Sequence, residues 1–116
     1  MSPHILALSY APYSEIFPRA AVIVHQGGTT AQALRAGRPM LIVPYGWDQP
    51  DNGARVHRLG AGFTLPRREY SVSAVAGALN RLISKPRYSA KAGELGAKIR
   101  AEDGLMHACD AIEALL

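Results

Sequence analysis

Three segments of the chain combine polar side chains with glycine or proline, and each directly follows a short apolar run. They cover residues 10–14, 25–30 and 44–52. In an open parallel sheet, ligands bind beyond the carboxyl ends of the strands. If the three apolar runs are neighbouring strands, these segments converge on one rim of the sheet, and that rim is the candidate binding site.

The segment 25–30 has the residue types of an anion site. Gly27 and Gly28 let the backbone approach a ligand closely, and the N–H groups that open the following helix favour phosphate. Thr29 and Thr30 add hydroxyl donors, and His25 adds a ring N–H. The set suits a diphosphate bound without a metal. A plain strand-to-helix turn with a capping threonine is the alternative interpretation.

The segment 44–52 places a carboxylate and an amide side by side, at Asp48 and Gln49. Together these groups can accept hydrogen bonds from vicinal sugar hydroxyls and donate to them. The alternative is structural, because Asp48 or Asp51 could cap the helix that follows.

The elements that must position these residues follow an α/β pattern. We predict strands at 5–9, 21–25, 40–43 and 62–65, a turn at 10–13, and helices at 29–36 and 51–59 that stop at Gly37 and Gly60. Three more helices are predicted, the first capped by Ser71, the second starting after Pro86 and the third after Gly104. Their apolar residues recur at three- and four-residue spacing, which is typical of core packing: Val72, Val75, Leu79, Leu82 and Ile83; Tyr88, Ala92, Leu95 and Ile99; Leu105, Ala108, Ile112 and Leu115.

Alternation of strands and helices predicts parallel strands joined by right-handed crossovers, a doubly wound (Rossmann-like) α/β fold. Only three or four strands are present, whereas such domains commonly carry five or six. We therefore expect residues 1–116 to form an incomplete domain, with a partial parallel sheet flanked by helices and a helical C-terminal part.

Composition excludes several classes of protein. The net charge is +4, but the basic residues are scattered instead of forming the stripe typical of nucleic-acid binding. Cys109 is the only cysteine, so no internal disulfide forms, and no apolar run approaches the ~20 residues of a membrane span. These points favour a cytoplasmic protein. His4, His57 and His107 are too dispersed to predict a catalytic triad or a metal site.

The stretch 10–52 resembles the donor-binding signature of the UDP-glycosyltransferase superfamily, which has the GT-B fold. It is similar in particular to bacterial enzymes of the macrolide and flavonoid type. The matching pieces are Tyr-Ala-Pro-Tyr-Ser-Glu-Ile-Phe-Pro-Arg at 10–19, Val-His-Gln-Gly-Gly at 24–28, Thr-Thr-Ala-Gln-Ala-Leu-Arg-Ala-Gly-Arg-Pro at 29–39 and Asp-Gln-Pro-Asp-Asn at 48–52. The similarity continues through Arg55-Val56, Leu59-Gly60 and residues 99–104, and so covers nearly the whole chain.

The resemblance implies a role for each part of the rim. The donor diphosphate would be held by His25, Gly27, Gly28, Thr29, Thr30 and Asn52, the donor sugar by Asp48 and Gln49, and the nucleoside by Tyr10, Pro12, Tyr13 and Ser14. The superfamily's catalytic base, a histidine oriented by an acidic residue, belongs to an N-terminal acceptor domain. No catalytic residue is therefore expected here, and neither a cofactor nor a metal.

Two departures from the superfamily pattern concern the donor site. Members usually carry two more residues between the glycine pair and the threonine pair, whereas here Gly28 runs directly into Thr29. Each missing residue removes up to ~3.3–3.6 Å of reach, which is expected to weaken or abolish phosphate binding. Trp47 stands where a small or imidazole-bearing residue often precedes the Asp-Gln pair, and it is expected either to crowd the donor sugar or to pack on the loop.

The resemblance implies the C-terminal portion of an inverting glycosyltransferase that uses a UDP- or dTDP-sugar and transfers a hexosyl group to a small hydroxylated acceptor. The chain alone is expected to bind the donor weakly at best and not to turn over. The alternative is a non-catalytic paralogue that binds nucleotide-sugar or docks a separate N-terminal half. A gene fragment without function, or self-association through an exposed sheet edge, also fits the sequence.

Overall fold

A computed structural model describes residues 2–116 and places a three-stranded sheet at the centre of the fold. The strands are β1 (Ile23–His25), β2 (Met40–Ile42) and β3 (Gly62–Thr64), in the order β1-β2-β3. Both pairings are parallel, with Ile23 opposite Met40 and Met40 opposite Gly62. The parallel α/β arrangement predicted from the sequence is confirmed, with each strand one or two residues shorter than predicted.

Helices connect and cover these strands. They are α1 (Tyr13–Ile16), α2 (Thr30–Ala36), α3 (Gln49–Leu59), α4 (Val72–Ser84), α5 (Pro86–Ala101) and α6 (Gly104–Glu113), with 3₁₀ turns at Phe17–Arg19 and Arg67–Glu69. The predicted helix stops are confirmed, since Gly37 (φ 69°) and Gly60 (φ 76°) end α2 and α3 in the left-handed conformation. The predicted cap is confirmed as well, because the Ser71 hydroxyl accepts from the Ala74 N–H at 3.2 Å.

The core lies on both faces of the sheet, because successive strand residues point to opposite sides. Met40 and Ile42 face a cluster with Ala33 of α2, Val56 of α3 and Ala92 of α5. A second cluster on the other face joins Leu41, Leu82 of α4 and Tyr88 of α5. The central strand β2 is therefore fully enclosed, and it fixes the positions of the loops that follow β1 and β2.

The predicted strand at 5–9 is wrong. These residues form no strand, and they are exposed, with the Leu6 side chain 81% accessible. A strand needs a neighbour to satisfy its backbone groups, and within residues 2–116 β1 pairs with β2 alone. The predicted turn at 10–13 is not found either, because residues 10–12 have no regular structure and α1 begins at Tyr13.

The predicted core packing of the last helix is also wrong. α6 has no buried residue, and its apolar residues Leu105 and Ile112 are largely exposed. In α4, Leu82 is buried, whereas Val72 and Ile83 are exposed. An apolar stripe shows which face of a helix is able to pack, but burial requires a second surface opposite that face.

The molecule is elongated, measuring 55 × 28 × 28 Å with a radius of gyration of 16.0 Å. A compact domain of 100 residues has a radius of gyration of about 13 Å. None of the helices within residues 2–116 combines the length and the apolar character needed to cross a membrane.

Candidate functional site

The loop after β1 is held from within by His25, the last residue of that strand. The Gly27 N–H donates to Nδ1 of His25 at 3.0 Å, and Nε2 lies 3.4 Å from the Met40 sulfur. Burial lowers the pKa of His25, because the charged imidazolium loses its hydration. The ring is therefore neutral at pH 7, with Nδ1 accepting and the Nε2 hydrogen directed at Met40. The ring N–H that the sequence predicts for a ligand already has a partner inside the protein.

The glycine pair is engaged in the same way. The Gly28 N–H donates to Oε1 of Gln26 at 3.2 Å, and the Thr30 hydroxyl donates to the Gly27 carbonyl at 2.7 Å. Thr29 occupies the N-cap position of α2, but its side chain makes no capping hydrogen bond. Of the predicted phosphate-binding side chains in this loop, only the Thr29 hydroxyl has no partner among residues 2–116.

The loop after β2 is organised by Gln49, whose side chain is 8% exposed. Its Oε1 accepts from the N–H groups of Tyr45 and Gly46, at 2.9 and 3.3 Å. Asp48 is exposed and precedes α3, and its Oδ2 accepts from Nδ2 of Asn52 at 3.1 Å instead of capping the helix backbone. Gln49 therefore shapes the loop, whereas Asp48 presents a carboxylate at its surface.

The two loops meet at Gly27. Nδ2 of Asn52 donates to the Gly27 carbonyl at 3.2 Å, so this oxygen receives hydrogen bonds from both Asn52 and Thr30. A Cβ on Gly27 would lie 2.8 Å from Cβ of Gln49, which shows that the backbone packs directly on that side chain. We call the group formed by Gly27, Thr30, Gln49 and Asn52 the Gly27 junction. It confirms that the segments after β1 and β2 converge on one rim.

The segment 10–14 does not join this junction. Tyr10 is 81% exposed, and Tyr13 stacks on Phe17 with ring centroids 4.4 Å apart. Pro12 precedes α1 as its N-cap residue. Ser14 lines a cavity of about 620 Å³ together with Gly37, at the opposite end of α2 from Thr30. Within residues 2–116, no side-chain hydrogen bond joins these four residues to the Gly27 junction.

Trp47, in the loop after β2, faces solvent. Its side chain is 93% exposed and its φ is 55°, an uncommon backbone conformation for a bulky residue. Of the two expectations for this residue, packing on the loop is not what the structure shows, because so exposed a ring has almost no neighbours.

Sequence reasoning missed two partners in this region. Gln26 holds the Gly28 amide, and Met40 faces the His25 ring. A polar residue directly before a glycine pair is a weak sequence signal for the first. The contact of Met40 with the His25 ring has no sequence signal, because it depends on the pairing of β1 with β2. Within the described residues, no group of three or more His, Cys, Asp or Glu side chains is placed to hold a metal ion.

Comparison with protein families and curated proteins agrees with this architecture. The erythromycin biosynthesis protein CIII-like C-terminal domain matches residues 1–114. O-mycaminosyltylonolide 6-deoxyallosyltransferase of Streptomyces fradiae is 38% identical over 111 residues, which are 93% of this chain and 26% of that protein. Sterol 3-beta-glucosyltransferase of Aspergillus clavatus is 38% identical over 114 residues, which are 97% of this chain and 8% of that protein. The chain thus spans about a quarter or less of these two relatives.

Solved structures give the same fold. The spinosyn forosaminyltransferase SpnP superposes with a TM-score of 0.91 at 26% identity, over 99% of this chain and 32% of that one. The glycosyltransferase VinC, solved in complex with dTDP, gives a TM-score of 0.90 at 27% identity, over 98% of this chain and 29% of that one. From the family match and the shared fold, the chain belongs to the erythromycin biosynthesis protein CIII-like C-terminal domain family of the GT-B UDP-glycosyltransferases.

Proposed function

We propose that the chain supplies the donor-binding part of an inverting glycosyltransferase. In this proposal the rim at the Gly27 junction takes the diphosphate of a UDP- or dTDP-sugar, and the hexosyl group passes to a small hydroxylated acceptor. Two similar proteins are, by name, a 6-deoxyallosyltransferase and a glucosyltransferase, which supports a hexosyl donor. The complex of VinC with dTDP supports a nucleoside diphosphate.

The observation that carries the proposal is the contact between the two loops at Gly27. Asn52 of α3 donates to the Gly27 carbonyl, and Gln49 packs against the Gly27 backbone. The unpartnered Thr29 hydroxyl and the exposed Asp48 carboxylate therefore lie on neighbouring loops of one rim. A diphosphate on the first loop and a sugar on the second would be adjacent, as they are in a nucleotide-sugar.

The contribution to catalysis would be electrostatic. As the glycosidic bond to the diphosphate breaks, negative charge grows on the leaving group, and fixed hydrogen-bond donors stabilise that charge. Thr29 and the backbone N–H groups at the start of α2 are the donors proposed for this role. The neutral His25 ring and the Thr30 hydroxyl hold the loop in shape, and Asp48 orients the sugar through its hydroxyls.

Activation of the acceptor would come from elsewhere. The base expected from the superfamily is not among the residues proposed here, because His25 is engaged with Gly27 and Met40. We therefore expect no sugar transfer by the purified chain without the remainder of a glycosyltransferase. Transfer by the chain alone would show that it holds a complete catalytic site.

Calorimetric titration with UDP, dTDP and the matching nucleotide-sugars tests the proposal. Binding is expected to be weak, with heat released for at least one nucleoside diphosphate. Thr29→Val should weaken binding of both nucleotides and nucleotide-sugars. Asp48→Asn should weaken binding of the nucleotide-sugar relative to the free nucleotide, whereas the matched variant Asp51→Asn, at an exposed carboxylate paired with Arg55, should change neither. Absence of any binding, or equal effects of Asp48→Asn and Asp51→Asn, would contradict the proposal.

A second candidate function is a non-catalytic module that docks a separate N-terminal half. The exposed apolar side chains of Leu6, Leu8 and Leu105 favour it, because they lie outside the core at both ends of the chain. Sedimentation velocity of the chain alone and mixed with the N-terminal portion of a related glycosyltransferase distinguishes the two. A complex that forms but shows no sugar transfer supports the docking module.

A further inference from the structure

A second cavity, of about 530 Å³, lies at the end of the strands opposite the Gly27 junction. It opens where α3 ends at Gly60 and β3 begins at Gly62, which is the amino end of the strands. We call it the Arg81–Arg87 cavity, and its walls include His57, Arg58, Phe63, Arg81, Arg87 and Tyr88. Its volume falls in the range of roughly 300–1,000 Å³ typical of small-molecule sites.

The charge of this cavity is entirely positive. Its lining residues include four cations, Arg58, Arg81, Arg87 and Lys91, and no acidic residue. Lys91 is paired with Glu94 at 3.3 Å. For the other three, no carboxylate within residues 2–116 lies at ion-pair distance. Three guanidinium groups thus border one concave surface without a counter-charge from the protein.

Two of these guanidinium groups are held in place by aromatic rings. The Arg81 guanidinium lies 4.7 Å from the Phe63 ring centroid, and that of Arg87 lies 4.9 Å from the Tyr88 centroid. The two rings pack edge to face, 5.1 Å apart. Arg87 also donates to the Tyr88 hydroxyl at 3.0 Å. Cation–π contacts of this kind order the arginines while leaving most of their N–H donors for an anion.

Stabilisation of helix ends explains only part of this cluster. Arg58 and Arg81 lie in the last turns of α3 and α4, where a cation interacts favourably with the helix dipole. Arg87 lies in the first turn of α5, where the dipole disfavours a cation, and that turn contains no acidic residue. The helix dipole therefore does not account for the position of Arg87.

We propose that the Arg81–Arg87 cavity binds a small phosphate-bearing anion, either a phosphomonoester or a diphosphate, through the guanidinium groups of Arg81 and Arg87. Guanidinium pairs with phosphate oxygens in a bidentate geometry that a lysine does not offer. The site is separate from the rim proposed for the sugar donor, and it does not depend on donor binding. It would let a phosphorylated compound bind at the end of the sheet opposite the donor.

The test uses pyrophosphate at low, fixed ionic strength, with ¹⁵N–¹H correlation spectra to locate binding and calorimetry to measure it. The proposal expects amide shifts at residues 57–63 and 81–91. Shifts at residues 27–30 would report the Gly27 junction separately. The double variant Arg81→Gln/Arg87→Gln should weaken binding at the cavity at least about ten-fold, as expected for losing charge-assisted hydrogen bonds. The charge-matched control Arg55→Gln/Arg68→Gln, at two exposed positions outside the cavity, should leave it unchanged.

Vesicles separate a free anion from a lipid headgroup carrying the same phosphate. The headgroup of phosphatidic acid is a phosphomonoester. Sedimentation with vesicles that contain phosphatidic acid, against vesicles of phosphatidylcholine alone, is measured for the same variants after circular dichroism confirms their fold. Arginine-dependent sedimentation without a response to pyrophosphate overturns the assignment to a free anion. Absence of shifts at residues 57–63 and 81–91, or equal binding by the double variant and its control, overturns the site itself.

Discussion

Gly27 is the residue at which the candidate site tolerates least change. Its φ of 116° is outside the range that L side chains favour, and a Cβ there would meet Gln49 at 2.8 Å. We expect Gly27→Ala to lower the free energy of unfolding by about 2 kcal/mol, combining backbone strain with displacement of a buried side chain. Chemical denaturation followed by circular dichroism measures this change.

Gly46→Ala is the matched control, because a Cβ at Gly46 meets nothing within 4 Å. It lies in the loop after β2, close to Gln49 in sequence, and should change stability by no more than about 0.5 kcal/mol. If both variants lose the same stability, the contact between Gly27 and Gln49 does not constrain the loop.

His25 predicts a pH dependence of stability. Burial lowers its pKa in the folded state below that of the unfolded chain, so the unfolded state takes up the proton first as pH falls. The free energy of unfolding should therefore be highest above the unfolded value of about 6.5 and should decline as pH falls from there towards the folded pKa. Protonation of Nδ1 would also break the hydrogen bond from Gly27.

Denaturation of the wild type and of His25→Gln between pH 5 and pH 8 measures this contribution. Other groups titrate in both proteins, so the difference between the two curves isolates His25. The decline below pH 6.5 should be smaller in His25→Gln. Parallel curves would show that the pKa of His25 is the same in the folded and the unfolded state.

At the residue scale, the sequence correctly predicts that the loops after β1 and β2 meet, but it does not predict how their side chains are used. The types of Gly27, Asp48 and Gln49 are enough to select the rim, because glycine and polar residues after apolar runs are a local signal. The sequence contains no local signal for two further roles. The Gln49 amide oxygen accepts from the backbone of Tyr45 and Gly46, and the His25 ring accepts from the backbone of Gly27. These roles depend on rotamers and on contacts between loops, which the order of residues does not specify.

At the scale of elements, strands and helices with local stop signals are predicted well. Gly37, Gly60 and Ser71 act through their own backbone or side chain, so their effect is visible in the sequence. The failures are the segment 5–9 and α6, whose apolar residues have no opposing surface within residues 2–116. Whether an apolar run is buried depends on what lies beside it, and the run itself does not contain that information.

The crossing of α2 and α5 yields a prediction at the same scale. A Cβ on Gly96 would lie 2.6 Å from Cα of Gly37, so the two helices touch through their backbones. Gly96→Ala must push them apart, and we expect it to cost about 1–3 kcal/mol as overpacking. Thermal denaturation should show a clear fall in the melting temperature.

Gly93→Ala, on the same helix, is its control with the opposite expected sign. A Cβ at Gly93 meets nothing within 4 Å, and alanine is favoured over glycine in a helix by about 0.5–1 kcal/mol. Gly93→Ala should therefore raise the melting temperature. A fall for both variants would mean that α5 tolerates no side chain on this side.

At the scale of the whole molecule, the elongation to 55 Å is explained by the two ends of the chain. Buried residues occur from Ile23 to Gly96, whereas residues 2–10 are exposed throughout and α6 buries nothing. The folded body thus consists of the sheet and helices α2 to α5. The Gly27 junction and the Arg81–Arg87 cavity both lie within that body. The junction is at the carboxyl end of the strands and the cavity is at their amino end.

Removal of residues 104–116 should consequently leave the stability of the body almost unchanged. Since α6 contributes no buried side chain, we expect a difference of no more than about 0.5 kcal/mol in the free energy of unfolding. Leu82→Ala, at a side chain that is 1% exposed, calibrates the assay and should cost about 2–5 kcal/mol. Light scattering on both chain lengths identifies any association through the exposed Leu105 and Ile112. A loss of stability on truncation comparable to that of Leu82→Ala would mean that α6 packs against the body, or against a second copy, in solution.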